Sequence, residues 1–419
     1  MGKSKNMACI ILAAGRGTRL KSDSPKVLHR ISGKTMIEYI MELIKPFGFK
    51  PVVVIVGYKG DEVAKLTKDA KVVYQKQLLG SADAVRKAEK ALKGFGGNTL
   101  ILYGDAPLIT RETLKKLIYR HKTTGASCTL LTARMEDPRE YGRILRNANG
   151  DVENIVEETE VPLYDRAMNE VNVGPCCFDV KALFGALDKV KINARKKEFY
   201  LTDVVSILSM DGKKIESSPL DCIEEALGIN SRGDLAMAEK TVRERAINKF
   251  LDNGVTIIDP KNTYIDVDCR IGKDTIIYPN VVISGGVKIG ENCVIGPFSR
   301  IRPGTVLSDR VEIGNFVELT RSTVGSDTKI KHLSYIGDAV IGKDVNIGAG
   351  TITANYDGKV KNKTVIKDKA FVGSGSIFVA PVTVGKGVVT GAGAVVTKNT
   401  KMPDGSVFVG IPARLLKKK

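Results

Sequence analysis

The sequence predicts an α/β protein in three parts: a doubly wound head (1–231), a linking helical arm (232–254) and a solenoid of short parallel strands (255–419). Three observations carry this. Strand-like and helix-like runs alternate through the first 230 residues, the pattern of βαβ units around a parallel or mixed sheet. A helical apolar stripe follows. From Ile265 onward, aliphatic residues then recur every six positions, a spacing that neither a helix nor a plain strand produces.

The elements can be read in order. Strand candidates are Ala8–Leu12, Pro51–Val56, Val72–Tyr74, Thr99–Leu102, Ser127–Thr132 and Val171–Phe178. Helical patterns lie between them, at Thr35–Ile44, Asp61–Leu66, Ala82–Leu92 and Arg111–His121. Leu235, Ala238, Val242, Ala246 and Phe250 form one face of a helix from about Arg232 to Leu251, stopped by Asn253-Gly254. The six-residue series runs from Ile265 to Leu319, slips by one at Val324 and again at Ile341, and resumes from Ile366 to Val384. Such a step predicts coils with one aliphatic side chain per face turned inward. Asn355–Lys363 breaks the series and predicts an extruded loop, a usual place for function in a solenoid.

The head is organised around Leu12-Ala13-Ala14-Gly15-Arg16-Gly17-Thr18-Arg19-Leu20 and the following Pro25-Lys26-Val27-Leu28. A buried strand here feeds a glycine-rich basic turn. Gly15 and Gly17 can take positive φ and bring backbone N–H groups close to an anion. Arg16, Arg19 and Lys26 add positive charge, a combination suited to a triphosphate. Neither the dinucleotide fingerprint nor the Walker pattern fits, because Leu20 stands where a third glycine would be. In open α/β sheets ligands bind at the carboxyl ends of strands. Asp105, after the strand Thr99–Leu102, is therefore placed to hold a divalent cation.

Composition narrows the classes. No run of 18 apolar residues occurs, so no membrane span is expected. Met1–Met7 is short and polar, unlike a secretory signal. The seven cysteines form no C-x-x-C pair and sit mostly in apolar runs, which predicts reduced thiols and a cytoplasmic protein. The net charge of +18 is dispersed, apart from Arg195–Lys197 and Lys417–Lys419, and there is no Trp. Nucleic acid is not expected as a partner; the charge suits the steering of phosphorylated small molecules.

The string from Leu12 to Leu28 closely resembles the signature of the sugar-1-phosphate nucleotidylyltransferases. That resemblance implies a UTP site at Leu12, Ala13, Ala14, Gly15 and Lys26, with Gln75, Gly80 and Ser81 reading the uracil edge. It implies sugar contacts at Tyr103, Gly142, Glu157, Asn172, Tyr200 and Thr202. Asp105 and Asn230 would hold Mg²⁺, while Arg19 and Lys26 would neutralise charge as a sugar 1-phosphate attacks the α-phosphorus of UTP.

The six-residue series resembles the hexapeptide-repeat acyltransferases, which implies a left-handed parallel β-helix, a homotrimer and acetyl-CoA as co-substrate. Lys331-His332-Leu333-Ser334-Tyr335-Ile336-Gly337-Asp338-Ala339 is similar to that family's site. The implied roles are general base for His332, sugar-phosphate contacts for Arg302, Tyr335, Asn346, Asn355 and Tyr356, and a place near the acetyl group for Ser374. Arg321 follows Thr320, where the family carries a phosphate-binding lysine, and is the candidate substitute. His29 and His121 read as structural. Together the halves resemble the bacterial bifunctional uridylyltransferase/acetyltransferase family that makes UDP-N-acetylglucosamine from UTP and amino-sugar 1-phosphates. The alternatives are a nucleotidylyltransferase whose solenoid only assembles copies, or a non-catalytic assembly protein.

Overall fold

A computed structural model describes residues 6–138, 140–161 and 168–416. The basic Lys417–Lys419 and most of Met1–Met7 lie outside the described residues. The chain divides into two units, Met1–Thr241 and Val242–Lys419, with the cut inside one helix.

The first unit is built on a mixed sheet. Its strands run in the order Ile215–Pro219, Cys128–Arg134, Glu170–Asp179, Asn98–Tyr103, Met7–Ala13, Val52–Val56, Lys71–Tyr74. Met7–Ala13 reads as an unbroken apolar run because both its faces are covered. Ala8 and Ile10 enter one core, and Met7, Cys9, Ile11 and Ala13 enter the other. The chain leaves this strand for Val52–Val56 and Lys71–Tyr74 on one side, then crosses to Asn98–Tyr103 on the other. The loops after Ala13 and Tyr103 therefore diverge, opening a crevice at the carboxyl ends of the two strands. Glu170–Asp179 is antiparallel to both its neighbours. A hairpin, Arg143–Arg146 with Val152–Val156, extends from its start. Sequence alone does not reveal the direction of Glu170–Asp179, since buried parallel and antiparallel strands carry the same apolar composition, and the hairpin strands are short and half-exposed.

The helix Arg232–Asp252 starts on a reciprocal cap. The Ser231 hydroxyl accepts from the Asp234 N–H, and the Asp234 carboxylate accepts from the N–H groups of Asn230 and Ser231. Gly254, at φ 84°, lets the Val255 N–H return to the Phe250 carbonyl at 3.1 Å. Ala246, Ile247 and Phe250 on its second half join the solenoid core.

Among the described residues the second unit stacks short strands into three sheets of ten, eight and eight strands, parallel throughout except for the last pair, Val407–Val409 with Arg414–Leu415, which is antiparallel; this is a left-handed β-helix of hexapeptide repeats. Ile277 pairs with Ile295 and Ile295 with Ile313, so one coil takes three six-residue steps. The inward series is buried almost throughout, with Ile271 only partly covered. At about 1.5–3 kcal/mol for each fully buried aliphatic side chain, this column is the main source of stability. It also extends past the expected end at Val384, through Thr390, Val396, Met402 and Phe408. Thr353 and Thr390 occupy inward positions as polar residues, and each is satisfied. Thr353 Oγ1 bonds the Gly337 N–H and carbonyl at 2.7 and 3.0 Å, and Thr390 Oγ1 accepts from Gly373 and meets Ser376 Oγ, both at 3.0 Å.

Ile336 is fully buried in the middle of this column. Ile336→Ala should cost the second unit about 2–5 kcal/mol, read as a lower denaturation midpoint with an unchanged slope. A loss below about 0.5 kcal/mol, the size of a typical surface substitution, would contradict the packing described here.

Candidate functional site

In the first unit the crevice is a cavity of about 410 Å³. Every residue assigned to UTP lines it, as do Arg19, Tyr103, Asp105 and Asn230. Arg16, expected to add positive charge at the turn, lines it too, as do Thr18 and Glu198, for which the sequence suggests no role. The glycine turn shapes its floor. Gly17 has φ 68°, and a Cβ there would fall 2.7 Å from Lys26 Cβ, so the turn closes over Lys26 only as glycine. Gly15 takes no positive φ, and a Cβ there would meet nothing within 4 Å. Its carbon faces open space, so only Gly17 uses the freedom expected of both.

Lys26 Nζ donates to the Asp105 carboxylate and to Asn230 Oδ1, the latter at 2.6 Å. Three segments far apart in sequence thus meet at one ammonium. The Ile229 N–H also donates to the Asp105 carbonyl at 2.9 Å, holding Asn230 alongside. The two oxygens converge on a point that favours positive charge, which is the donor set a hard cation with few protein ligands requires. Among the described residues no group of three or more His, Cys, Asp or Glu could hold a metal ion.

The remaining polar groups are set by their partners. Gln75 is buried and donates both amide hydrogens inward, to the Gly80 carbonyl at 3.0 Å and to Asp83 at 2.9 Å. The group it retains for a ligand is an acceptor. Ser81 Oγ accepts from the Leu201 N–H at 3.0 Å, which leaves the hydroxyl hydrogen to donate. Gly80, at φ 98°, packs so tightly that a Cβ would lie 2.5 Å from the Phe199 carbonyl. Arg19 pairs with Glu140 at 2.9 Å in an exposed contact.

The sugar candidates form a second group next to this cavity. The Gly142 carbonyl accepts from the Asn172 N–H at 2.9 Å. Asn172 Oδ1 accepts from the Gly174 N–H at 3.1 Å, within the irregular register of its strand. A Cβ on Gly174 would touch the Tyr103 ring at 3.1 Å. Thr202 Oγ1 donates to Glu157 Oε1 at 2.7 Å. Burial pushes the Glu157 carboxyl upward against that bond, and pushes the Tyr103 phenol well up. Asp203 is raised to about 6 by burial and by Glu157 and Glu160 nearby. Tyr200 is half-buried beside them. His29 and His121 are buried: a His29 ring nitrogen meets the Lys26 carbonyl at 3.1 Å, and one of His121 meets Thr129 Oγ1 at 2.9 Å.

In the second unit the candidates divide between faces. Arg302, Arg321 and Asn355 sit at one corner of successive coils, and Tyr335 lies on the strand leading into it. Arg302 pairs with Glu318 at 2.8 Å. Arg321 holds Asp338 through Nε and Nη2 at 2.6 and 2.8 Å and Thr320 Oγ1 through Nη1 at 3.0 Å. The fork expected to take a phosphate is thus engaged within the chain. Tyr356 is 61% exposed at the start of the 355–363 excursion, its hydroxyl donating to the Gly358 carbonyl. His332 is exposed at the preceding corner, and Ser374 lies at the same corner farther along the coil. Asn346 stands on the sheet before that corner, paired with Lys329 and Phe371. A single chain therefore does not gather Asn346 with the Tyr335 group.

A family model described as MobA-like NTP transferase domain matches residues 9–203. One described as bacterial transferase hexapeptide (six repeats) matches residues 268–303, 286–321 and 363–398. The chain is 44% identical over 422 residues to the bifunctional protein GlmU of Geobacillus sp. (strain WCH70), covering 93% of this chain and 92% of the relative. It is 43% identical over 439 residues to that of Streptococcus suis (strain 98HAH33), covering 97% and 95%. The protein of the same name from Shouchella clausii (strain KSM-K16) is 43% identical over 422 residues, covering 93% of both chains. With both halves matched and nearly the full length of each relative covered, the chain belongs to the bifunctional GlmU family.

Proposed function

We propose that this chain makes UDP-N-acetylglucosamine in two steps. The solenoid acetylates the amine of glucosamine 1-phosphate from acetyl-CoA, and the head transfers the uridylyl group of UTP to the product, releasing pyrophosphate. The observation that carries this reading is the meeting of Asp105 and Asn230 at the Lys26 ammonium, in a crevice floored by the glycine turn.

In the head, a phosphate oxygen of the sugar attacks the α-phosphorus, the bond to the β-phosphate breaks and pyrophosphate leaves. Lys26 and the turn's N–H groups stabilise the charge that accumulates on the phosphates. Arg19 joins them readily, because an exposed pair such as Arg19–Glu140 holds it by only about 0–1 kcal/mol. Asp105 and Asn230 would hold Mg²⁺, which when bound neutralises phosphate charge. The acceptor left on Gln75 suits the N–H of uracil, and the Ser81 hydroxyl suits its carbonyl. Glu157 and Asn172 take sugar hydroxyls.

In the solenoid, His332 removes a proton from the amine as its nitrogen bonds the thioester carbon. The C–S bond breaks and the CoA thiol leaves. Arg302, Tyr335, Asn346, Asn355 and Tyr356 orient the sugar phosphate, with Ser374 near the acetyl group. Because one chain separates Asn346 from the rest, we assign the site to the seam between copies in a homotrimer. A stacked apolar column beside His332 supports assembly: Phe298, Phe316 and Leu333 are 51%, 57% and 63% exposed, and the two rings stack at 5.3 Å. The free cysteines suit the cytoplasm. The three-part division at 231 and 254 belongs to the same proposal, the helix Arg232–Asp252 supporting it.

Three outcomes are expected. Lys26→Ala should slow pyrophosphate release from UTP and N-acetylglucosamine 1-phosphate by about 10²–10³-fold and leave acetyl transfer intact. Full activity in that variant would remove Lys26 from the reaction. His332→Ala should slow thiol release from acetyl-CoA with glucosamine 1-phosphate by about 10²–10⁴-fold while the head still works; no thiol release from the unaltered chain would leave the solenoid an assembly module only. Sedimentation equilibrium should return three chains of 45.3 kDa, and a monomer would exclude a shared site.

A further inference from the structure

From Ile265 to Phe408 the two shortened steps of the solenoid and its one excursion all fall at a single corner. That corner follows the strands Glu318–Thr320, Tyr335–Gly337 and Ile352–Ala354, which pair in succession. The first two passages are short by one residue, at Arg321 and Asp338, and the third carries the loop 355–363. Nothing in the packing of the aliphatic column demands this arrangement.

The three passages are tied together through Asp338. Its N–H donates to the Thr320 carbonyl at 3.0 Å, and its carboxylate accepts the two-pronged Arg321 fork. The same carboxylate accepts from Asn355 Nδ2, at the first residue of the loop. Its carbonyl accepts from the Thr364 N–H at 3.2 Å, at the first residue after the loop. Asp338 therefore grips both ends of the excursion, one by side chain and one by main chain. The Asn362 N–H closes onto the Asn355 carbonyl at 2.6 Å. Gly337 provides the room, since a Cβ there would fall 2.7 Å from Asn355 Nδ2 and 2.8 Å from Tyr335 Oη.

A second pair elsewhere gives the contrast. Arg310 holds Asp327 with the same two-pronged geometry, at 2.7 and 2.9 Å and the same offset of 17 residues. It lies at another corner, with no loop and no candidate site residue. Its aspartate side chain is 47% exposed, against 17% for Asp338. One pair is a surface contact; the other forms the base of a loop.

We propose that Asp338 is a positioning residue for acetyl transfer, fixing the root of the 355–363 loop so that Asn355 stands beside Tyr335 and Tyr356 follows it at the start of the loop, with Arg321 as its counter-ion rather than a ligand for the sugar phosphate. This rests on the acetyl-transfer reading given above. The loop's contacts were assigned to the sugar phosphate, so loss of positioning registers in the sugar terms of the kinetics and not in those of acetyl-CoA.

The test uses the full chain and thiol release from acetyl-CoA with varied glucosamine 1-phosphate. Asp338→Asn should raise the KM for glucosamine 1-phosphate about ten-fold, the scale of a sub-ångström misplacement. The KM for acetyl-CoA and pyrophosphate release by the head should stay unchanged. Amide hydrogens of residues 355–363 should exchange faster in this variant and at the unaltered rate in Asp327→Asn. Gly337→Ala, which displaces Asn355 and Tyr335 while leaving the ion pair intact, should raise the same KM. An unchanged sugar KM in Asp338→Asn, or an equal rise in Asp327→Asn, overturns the proposal. Absence of thiol release from the unaltered chain would instead overturn the acetyl-transfer reading itself.

Discussion

The Lys26 ammonium lies between Asp105 and Asn230, and the geometry of the head follows from that contact. A partly buried carboxylate without a counter-charge is costly, so the turn that carries Lys26 must fold down over the strand end that carries Asp105. It can do so only because Gly17 has no side chain at the point of closest approach. Asn230 arrives last in the chain, held by the Ile229–Asp105 backbone bond and by the cap that starts the linking helix. The helix thus begins on the same structure that closes the crevice. Arg232 on its first turn reaches back to the Leu20 carbonyl at 3.0 Å, and Glu239 to the Ser32 N–H.

The solenoid is governed by a different constraint. Each coil must turn one aliphatic side chain inward per face and match the strand below it. A regular step leaves little room for chemistry, because outward positions on flat strands hold side chains apart. Chemistry is concentrated where the step fails. The shortened corners at Arg321 and Asp338 and the excursion at Asn355 stack into one polar cluster. The corner before it carries His332 and the exposed aromatic pair.

Much of this was legible in the residues themselves. Strand Met7–Ala13 and helix Met36–Ile44 match their expected positions within a residue or two. The inward series of the solenoid follows the period almost to the end of the described chain. Thr353 and Thr390 stand outside an aliphatic series, yet a hydroxyl that is fully bonded fits the same inward slot. The hairpin Arg143–Arg146 with Val152–Val156 was missed because its strands are short and half-exposed. The antiparallel direction of Glu170–Asp179 leaves no mark on composition at all. In the site, Lys26, Asp105 and Asn230 were named from short motifs, and their meeting is a fact of topology.

Most of the side chains that gather in the crevice are implied by the resemblance of short motifs to a known family; periodicity and the alternation of elements, taken alone, determined the two architectures and the order in which they occur. They could do so because backbone pairing and apolar burial act over a few residues and recur. Direction of strands, partners of charges and the division of the solenoid candidates between two faces were decided only by the tertiary structure. Those depend on which distant segments come within hydrogen-bonding reach. Arg321 shows the difference: its sequence position suggests a phosphate ligand, while its distances to Asp338 and Thr320 show a guanidinium already engaged within its own chain.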